Sequence, residues 1–562
     1  MSDIRSEQTF EGPISISTKG VGYLKLKDIN ETIEIPREGL NRAFHGDTVA
    51  VTVTATPQGE YPKGTVTEVK KRAKFGYAAT LVAAEGRSFA VSTDARMYVR
   101  IEIPEPSLHD AEIGDKVFVG ISQWENPLTD PTGEVIRVLG KPLENTAEMH
   151  AIALEKGFDN IYPPEVEKES AAIAARGIPL EDFADRRDFR TVTTFTIDPA
   201  DAKDFDDAIS VQFLENELIE VGIHIADVSH YVRTGTALDT EAAERATSVY
   251  LVDRTIPMLP EVLSNDLCSL KPDVDRLTFS AIFTFDAAFN IKDSWFGRTI
   301  IHSAKRFTYE DAQEVLNSQT GPHLKELNFC LAVSKYLEAK RFEAGAISID
   351  TEEVKFKLDE NSVPVGVYKK VRGDTHHLIE ELMLLANRKV AEFIATHDKH
   401  GNEIFVYRVH DLPAQDRMLE LRDFLKRLGH TLPLKDGIIP SFELNKLLKS
   451  LAGKPEEDTV QTAIVRSMAK AIYSTKNIGH YGLAFQYYTH FTSPIRRYPD
   501  LVVHRLLFEY LSKRTVDKKL WEYYEHISAH ASEREKQASD AERASIKYKQ
   551  VEYMSYRIGK TF

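Results

Sequence analysis

The stretch from Thr196 to Val211, Thr-Ile-Asp-Pro-Ala-Asp-Ala-Lys-Asp-Phe-Asp-Asp-Ala-Ile-Ser-Val, places five aspartates within ten residues. The apolar runs 192–197 and 208–211 on either side predict a loop held between two strands of a buried sheet. Carboxylates crowded in this way repel one another, so some must take up protons or bind cations. A solvated acidic loop is the structural alternative, but the apolar flanks leave such a loop little freedom to hydrate its charges.

Oxygen ligands without histidine or cysteine suit a hard divalent cation, magnesium or manganese. A calcium EF-hand is excluded, because counting from Asp198 the sixth position is Lys203 rather than glycine and the twelfth is Ile209 rather than glutamate. The usual work of such a magnesium site is phosphoryl transfer or phosphodiester hydrolysis. The acidic stretch therefore predicts a metal site that acts on phosphate esters.

A second segment, 490–505, carries the opposite charge. Between Lys476 and Arg514 there are six Lys or Arg residues against two Asp or Glu. Ser493-Pro494 predicts a turn or the start of a helix, in which case the serine would be the cap and the proline would take the first helical position. On that helix Arg497 and Asp500 could simply pair with each other, whereas Arg496 would be free to hold a phosphate.

The first 140 residues predict short strands with Gly, Pro and Asp turns and no helical periodicity. One pattern occurs twice: His-Gly-Asp-Thr-Val at 45–49 and Ile-Gly-Asp-Lys-Val at 113–117. Upstream of each, a lysine, a glycine and an aromatic residue stand together, at Tyr23 and Tyr77. Two small β-barrels that display aromatic rings for base stacking are the economical interpretation, and the alternative is that the rings are barrel core.

Length and composition limit the remaining possibilities. The chain has 562 residues and a formal charge of −15, with 42% apolar and 28% charged residues, which predicts several domains of ordinary globular type. No run approaches a membrane span and the N-terminus is too polar for a signal peptide, so we expect a cytoplasmic protein without a membrane partner. The two cysteines, Cys268 and Cys330, predict no disulfide. The net acidity still permits a local basic channel for nucleic acid.

Five motifs occur in an order that resembles one family. They are the acidic stretch 198–207; Val-Gly-Ile-His-Ile-Ala-Asp-Val-Ser-His-Tyr-Val at 221–232; Ile-Pro-Met-Leu-Pro at 256–260 with Leu-Ser-Asn-Asp-Leu-Cys-Ser-Leu at 263–270; His-Leu-Ile-Glu-Glu-Leu-Met-Leu-Leu-Ala-Asn at 377–387; and Tyr-Thr-His-Phe-Thr-Ser-Pro-Ile-Arg-Arg-Tyr-Pro-Asp at 488–500. Over nearly the whole chain this resembles the ribonuclease II superfamily, the RNB exoribonucleases.

The resemblance implies a fold and an activity. The implied fold is multidomain, with two N-terminal all-β OB/cold-shock-like barrels, an α+β RNB catalytic domain and a C-terminal helix. We place their limits at 1–68, 69–143, 144–514 and 515–556. The implied activity is processive, hydrolytic 3′-to-5′ degradation of single-stranded RNA to nucleoside 5′-monophosphates by two magnesium ions, for which manganese could substitute. A monomer that binds RNA with a free 3′ end is expected.

Residue roles follow from position in the motifs. The implied metal ligands are Asp198, Asp204, Asp206 and Asp207, whereas Asp201 occupies a position that the family does not require. The implied catalytic residues are Asp206, Arg496, Tyr309 and Glu380. The implied RNA-binding residues are Tyr250, Ile349, Arg497 and Tyr498, together with Tyr23 and Tyr77 in the barrels. A metal site formed by His376, His377, Glu380 and Glu381 is less plausible than a buried helix.

Two departures from the family pattern bear on function. The family usually has phenylalanine where this chain has Ile349, so the base clamp should lose a ring contact and leave a longer final fragment. Residues 557–562 resemble only the opening of a C-terminal OB barrel, whose loss should weaken RNA binding. Two other function classes remain open: a catalytically silent RNB-fold regulator that binds RNA, and a metal-dependent phosphatase of small substrates, which would not need two barrels.

Overall fold

The computed structural model describes residues 6–26, 31–55, 61–347, 353–397 and 403–561. Its first unit is a closed barrel in the order β1-β2-β3-β5-β4. The strands are β1 (Thr9–Ile16), β2 (Gly22–Leu26), β3 (Glu31–Ile35), β4 (Thr48–Ala55) and β5 (Lys63–Lys71). Alternate side chains of these strands, such as Leu24, Ile33 and Val51, fill the barrel and are fully buried.

The second unit repeats this architecture as a closed barrel in the order β10-β8-β7-β6-β9. Its strands are β6 (Tyr77–Ala84), β7 (Arg87–Ser92), β8 (Ile101–Ile103), β9 (Lys116–Gln123) and β10 (Thr132–Gly140). The aspartate of each Gly-Asp turn accepts a hydrogen bond from the backbone amide three residues before it. Asp47 accepts from the Phe44 amide at 2.9 Å, and Asp115 accepts from the Glu112 amide at 2.8 Å. The prediction of two N-terminal barrels is confirmed.

The third unit is built on a seven-stranded mixed sheet in the order β11-β18-β17-β14-β13-β12-β19. Its strands are β11 (Arg187–Asp188), β12 (Thr194–Asp198), β13 (Asp207–Phe213), β14 (Ile219–Ala226), β17 (Asp275–Phe285), β18 (Ile291–His302) and β19 (Lys305–Thr308). In the part of the chain that the structure describes, three two-stranded sheets accompany it: β15 (Val249–Tyr250) with β16 (Thr255–Ile256), β20 (Glu353–Leu358) with β21 (Pro364–Lys370), and β22 (Tyr407–Val409) with β23 (Ile472–Ser474).

Helices cover this sheet and complete the α+β domain. Those described are α1 (Asn145–Glu155), α2 (Pro164–Arg176), α3 (Val228–Tyr231), α4 (Ala237–Arg245), α5 (Tyr309–Ser318), α6 (Leu324–Glu343), α7 (Asp374–His397), α8 (Gln415–Arg427), α9 (Ser441–Leu451), α10 (Glu457–Ser467) and α11 (Tyr498–Leu511). One continuous core unites the sheet with α4 to α7 and α11, whereas α8 to α10 share a smaller core of their own.

A single long helix, α12 (Trp521–Ser555), ends the fold. It packs against the third unit, where Arg408 forms a two-pronged ion pair with Glu535 at 2.7 and 3.0 Å. The sequence predicts this helix from its lack of glycine and proline. Residues 557–559 form a turn rather than a strand. Within the described ranges, no helix combines the length and apolarity that a membrane crossing requires.

Candidate active site

The acidic loop connects two neighbouring antiparallel strands of the large sheet. Asp198 is the last residue of β12 and Asp207 is the first residue of β13. Because these strands are antiparallel neighbours, both aspartates lie at the same end of the strand pair. Ser269 holds the loop through two hydrogen bonds. The Phe205 amide donates to Ser269 Oγ at 3.0 Å, and that hydroxyl donates to the Lys203 carbonyl at 2.7 Å. The predicted loop between two buried strands is therefore what the structure contains.

Burial sets the electrostatics of this loop. Burial is the main cause of the rise in the pKa of Asp206 from 3.8 to about 8; nearby Asp204 and Asp207 also raise it, whereas Arg496 lowers it. Burial is also the main cause of the raised pKa of Asp198, Asp204 and Asp207. Buried carboxylates that repel one another are destabilised as anions unless a cation joins them.

The donors fit a hard divalent cation. All four groups are carboxylates, and the buried Oδ2 atom of Asp198 has no hydrogen-bond partner, as expected of an oxygen reserved for a metal. Among the described residues, no group of three or more His, Cys, Asp or Glu side chains is arranged to hold a metal ion. Asp198, Asp204, Asp206 and Asp207 share this one loop, and carboxylates are the ligand type that hard divalent cations prefer.

A pH dependence of stability follows. Because the folded-state pKa of Asp206 lies near 8 and its ordinary value is 3.8, the folded protein keeps protons that the unfolded chain has released. We therefore expect the melting temperature in EDTA to fall by several degrees as the pH rises through this window, and magnesium to restore more of it at the alkaline end. Scanning calorimetry with and without magnesium measures this, and equal slopes for wild type and Asp206→Asn would contradict it.

The segment around Arg496 meets the acidic loop directly. Asp206 accepts a hydrogen bond from the Ile495 amide at 2.9 Å and another from Arg496 Nε at 3.2 Å. A second nitrogen of Arg496 donates to Ser493 Oγ at 2.9 Å. The Arg496 side chain remains 41% exposed, so the guanidinium is held beside the carboxylates and still reaches solvent.

Two expectations for this segment are wrong. Residues 494–496 form a turn, one of the two forms that Ser493-Pro494 predicts, and the helix begins at Tyr498 with Arg497 as its cap. Arg497 donates to both oxygens of the fully buried Asp500, at 2.9 and 2.7 Å, instead of facing RNA. Tyr498 is 1% exposed and donates its hydroxyl to Asp239 at 2.9 Å. Their roles are to hold the segment that carries Arg496.

Removing the Arg497–Asp500 ion pair should lower the free energy of unfolding. Arg497→Ala leaves the Asp500 carboxylate buried without its cation, which costs about 3–5 kcal/mol in buried pairs. Urea titration measures the free energy of unfolding. The control is Arg514→Ala, which removes an exposed pair with Glu509 and should cost less than about 1 kcal/mol. Equal losses of unfolding free energy in the two variants would show that the buried Arg497 pair stabilises the fold no more than an exposed pair does.

Two tyrosines lie near the carboxylates. Tyr250, on β15, is 40% exposed and close enough to Arg496 and Asp204 for their charges to affect the pKa of its hydroxyl, which burial raises. Tyr309, at the start of α5, has its pKa raised by burial and then by Asp207 and Asp198. The Tyr250 ring thus lies near Asp204, and the Tyr309 ring lies near Asp198 and Asp207.

Helix α7 carries Glu380, another of the predicted site residues. Glu380 forms an ion pair with Arg372, just before the helix. Glu381 is buried and accepts a hydrogen bond from Arg341 Nε at 3.0 Å. His376 stacks on Tyr309 with ring centroids 4.0 Å apart. These separate partners agree with a packed helix rather than a helical metal site.

The aromatic residues that the two barrels expose differ from those that the sequence predicts. Tyr77 is 8% exposed and packs against Phe44 with centroids 5.0 Å apart, so its predicted stacking role is corrected to a core role. The exposed ring beside it is Phe75. Tyr23 is partly buried and meets exposed Tyr61 edge-on at 6.5 Å. Ile349, the predicted clamp residue, lies outside the described residues.

Arg306 is a site residue that sequence reasoning missed. It donates to the carbonyls of Pro199 and Ala200, at the start of the acidic loop, and its charge opposes the raised pKa of Asp198. Nothing in the spacing reveals this, because Arg306 lies on β19 and reaches the loop only through the pairing of β19 with β12.

Comparison with known proteins shows which class of multidomain proteins has this architecture. The RNB domain model matches residues 186–513, the Cold shock domain model 89–163 and the Ribonuclease B OB domain model 12–69. These are the domains of the RNB nuclease class. The chain belongs to the ribonuclease II (RNB) family, as its five motifs predict.

Individual relatives agree. Ribonuclease R of Aquifex aeolicus (strain VF5) is 35% identical over 99% of this chain and 79% of the relative. The structure of Mycoplasma genitalium RNase R in complex with ribose methylated single-stranded RNA is similar with a TM-score of 0.91 and 26% identity, over 98% of this chain and 88% of that one. Yeast Ssd1, described as a pseudonuclease, shares the fold with a TM-score of 0.71 and 20% identity, over 96% of this chain and 73% of that one.

Proposed function

We propose that this protein is a hydrolytic, processive 3′-to-5′ exoribonuclease that degrades single-stranded RNA to nucleoside 5′-monophosphates in cytoplasmic RNA decay and quality control. The observation that carries the proposal is the junction at Asp206, where one buried carboxylate joins the acidic cluster to the Ile495 amide and to Arg496. Negative groups for cations and a positive group for phosphate thus lie side by side. The RNA-bound structure of the Mycoplasma relative supports RNA as the substrate.

The residues divide the chemistry as follows. Asp198, Asp204, Asp206 and Asp207 would hold two magnesium ions, for which manganese can substitute. When bound, these ions supply activation of the attacking water and stabilisation of the departing 3′ oxygen. Arg496 neutralises charge on the non-bridging phosphate oxygens, with its guanidinium already oriented by Asp206 and Ser493.

The surrounding residues position the RNA. Tyr250 stacks on the terminal base, and Tyr309, with Glu380 near it, contacts the scissile end. The two barrels guide the strand, with Tyr23 and exposed Phe75 as stacking surfaces. The weaker clamp at Ile349 makes the final fragment longer than with a phenylalanine there.

The alternative is a silent RNB-fold protein that binds RNA without cutting it. Yeast Ssd1 shows that this fold is compatible with the absence of nuclease activity. The complete set of four aspartates and Arg496 favours catalysis in this chain.

A time course with 5′-labelled poly(A) RNA distinguishes the two. We expect a ladder that shortens from the 3′ end in magnesium and stops in EDTA, with ribose 2′-methylated RNA and single-stranded DNA as substrate controls. Binding without shortening in magnesium or manganese would establish the silent alternative. Cleavage within the strand would refute an exonuclease of either direction. Ile349→Phe should reduce the length of the final fragment.

A further inference from the structure

The four aspartates of the acidic loop are held in different ways. Asp198 and Asp207 belong to β12 and β13, so the pairing of the sheet fixes their backbone. Asp206 precedes β13, and its carboxylate accepts a hydrogen bond from the Ile495 amide. Asp204 belongs to neither strand. Its position therefore depends on whatever holds the irregular part of the loop.

The hydroxyl of Ser269 bonds to both peptide groups that flank Asp204. It donates to the Lys203 carbonyl at 2.7 Å and accepts from the Phe205 amide at 3.0 Å. The orientations of these two peptide planes define the φ and ψ angles of Asp204. One hydroxyl thus fixes the direction in which the Asp204 side chain leaves the backbone.

Ser269 is itself anchored to the large sheet. The residue is fully buried, and its carbonyl accepts a hydrogen bond from Arg276 Nε, on β17, at 2.9 Å. The next residue, Leu270, donates its amide to the Phe205 carbonyl at 3.0 Å and buries its side chain in the main core. The hydroxyl therefore holds the loop against a rigid part of the domain.

Electrostatic repulsion makes such an anchor necessary. The charge of Asp204 raises the pKa of both Asp198 and Asp206, so the three carboxylates are close enough to repel one another. A loop that was free to move would relieve this repulsion by separating them, whereas a shared cation requires them to converge. A serine hydroxyl resists the separation without adding a positive charge that would compete with the cation.

We propose that Ser269 is a positioning residue for the divalent-metal site: its hydroxyl fixes Asp204 in the orientation in which that carboxylate shares a cation with its neighbours. Ser269 contacts neither metal nor RNA in this role and acts only through Asp204. The inference rests on the proposed function, because it concerns the cation that the exonuclease would use.

The test measures manganese binding to the full chain, without RNA, from the electron paramagnetic resonance signal of the free ion. Ser269→Ala removes the hydroxyl from both peptide groups. We expect the dissociation constant for manganese to rise about tenfold, because partners that orient metal ligands are worth about 10–100-fold in affinity. Ser269→Cys keeps a weaker donor and acceptor, and its dissociation constant should lie between those of Ser269→Ala and the wild type.

RNA cleavage provides a second measurement. The magnesium concentration that gives half the maximal rate should rise about tenfold in Ser269→Ala, whereas KM for RNA at saturating magnesium should not change. A serine that only stabilised the fold would lower the melting temperature without moving the metal dissociation constant or the magnesium requirement.

Ser264→Ala is the matched control. Ser264 lies in the same 263–270 motif and is buried, but its hydroxyl donates to the Pro260 carbonyl at 3.4 Å instead of to the acidic loop. This variant should bind manganese like the wild type. Unchanged manganese affinity in both Ser269 variants, or an equal loss in Ser264→Ala, would overturn the proposal.

The outcome is separable from that of the proposed function. A wild type that shortens RNA while the Ser269 variants bind manganese normally would refute only the role of Ser269. A wild type that binds manganese but never shortens RNA would refute the exonuclease, and the comparison of the Ser269 variants would still decide the positioning role. A wild type that binds no manganese would overturn the positioning role as well.

Discussion

Asp206→Asn should reduce kcat for RNA hydrolysis by about 10³-fold, because stabilisation of charge by a metal is worth several kcal/mol. The substitution keeps an oxygen that can accept from the Ile495 amide. It removes the negative charge shared with the other aspartates, and it can turn an amide N–H towards Arg496. Metal binding and arginine orientation should therefore be impaired together, although the fold is retained.

The measurement is single-turnover cleavage of labelled RNA at saturating magnesium, with anisotropy as a check that RNA still binds. Asp201→Asn is the matched control, because Asp201 lies in the same loop but is exposed. The control should cleave like the wild type. Full activity in Asp206→Asn would exclude this carboxylate from the metal site and remove the observation on which the proposed function depends.

Arg496→Ala should lower kcat by about 10²–10³-fold, the loss seen when one preorganised donor to a developing negative charge is removed. Since the Arg496 side chain is 41% exposed, we expect little change in melting temperature. Arg496→Lys should recover only part of the rate, because an ammonium cannot reproduce the planar fork that contacts Asp206 and Ser493 together.

The control for charge is Arg417→Ala, which removes an exposed arginine from α8. It should leave kcat unchanged. A drop in melting temperature in Arg496→Ala as large as that in Arg497→Ala would mean that Arg496 only holds the fold. A rise in KM with unchanged kcat would instead make Arg496 a ground-state RNA contact rather than a transition-state one.

The neighbouring residues 496, 497 and 498 show where sequence reasoning stops. All three are suitable for binding RNA, yet only Arg496 reaches solvent beside the carboxylates. Arg497 is neutralised by Asp500, and Tyr498 is buried against Asp239, a residue distant in sequence. The spacing of Arg497 and Asp500 does indicate their pairing, but it cannot show which arginine of the two remains available.

The barrels teach the same lesson with aromatic residues. The sequence predicts rings beside glycine and lysine on a strand, and the strands are where it places them. Whether a ring faces the interior or solvent depends on a register shift of a single residue. Here Tyr77, the first residue of β6, is buried against Phe44, whereas Phe75 precedes the strand and is exposed.

The sequence by itself determined the family, the two barrels, the acidic loop between buried strands and the long terminal helix. Each depends on contiguous residues, whose hydrophobic period, turn chemistry and charge density act locally. Only the tertiary structure decided that the Ile495 amide and Arg496 meet Asp206, and that Arg306 holds the start of the acidic loop. These contacts join residues far apart in the chain, and their distances are set by how the sheet and helices pack together, which no local pattern encodes.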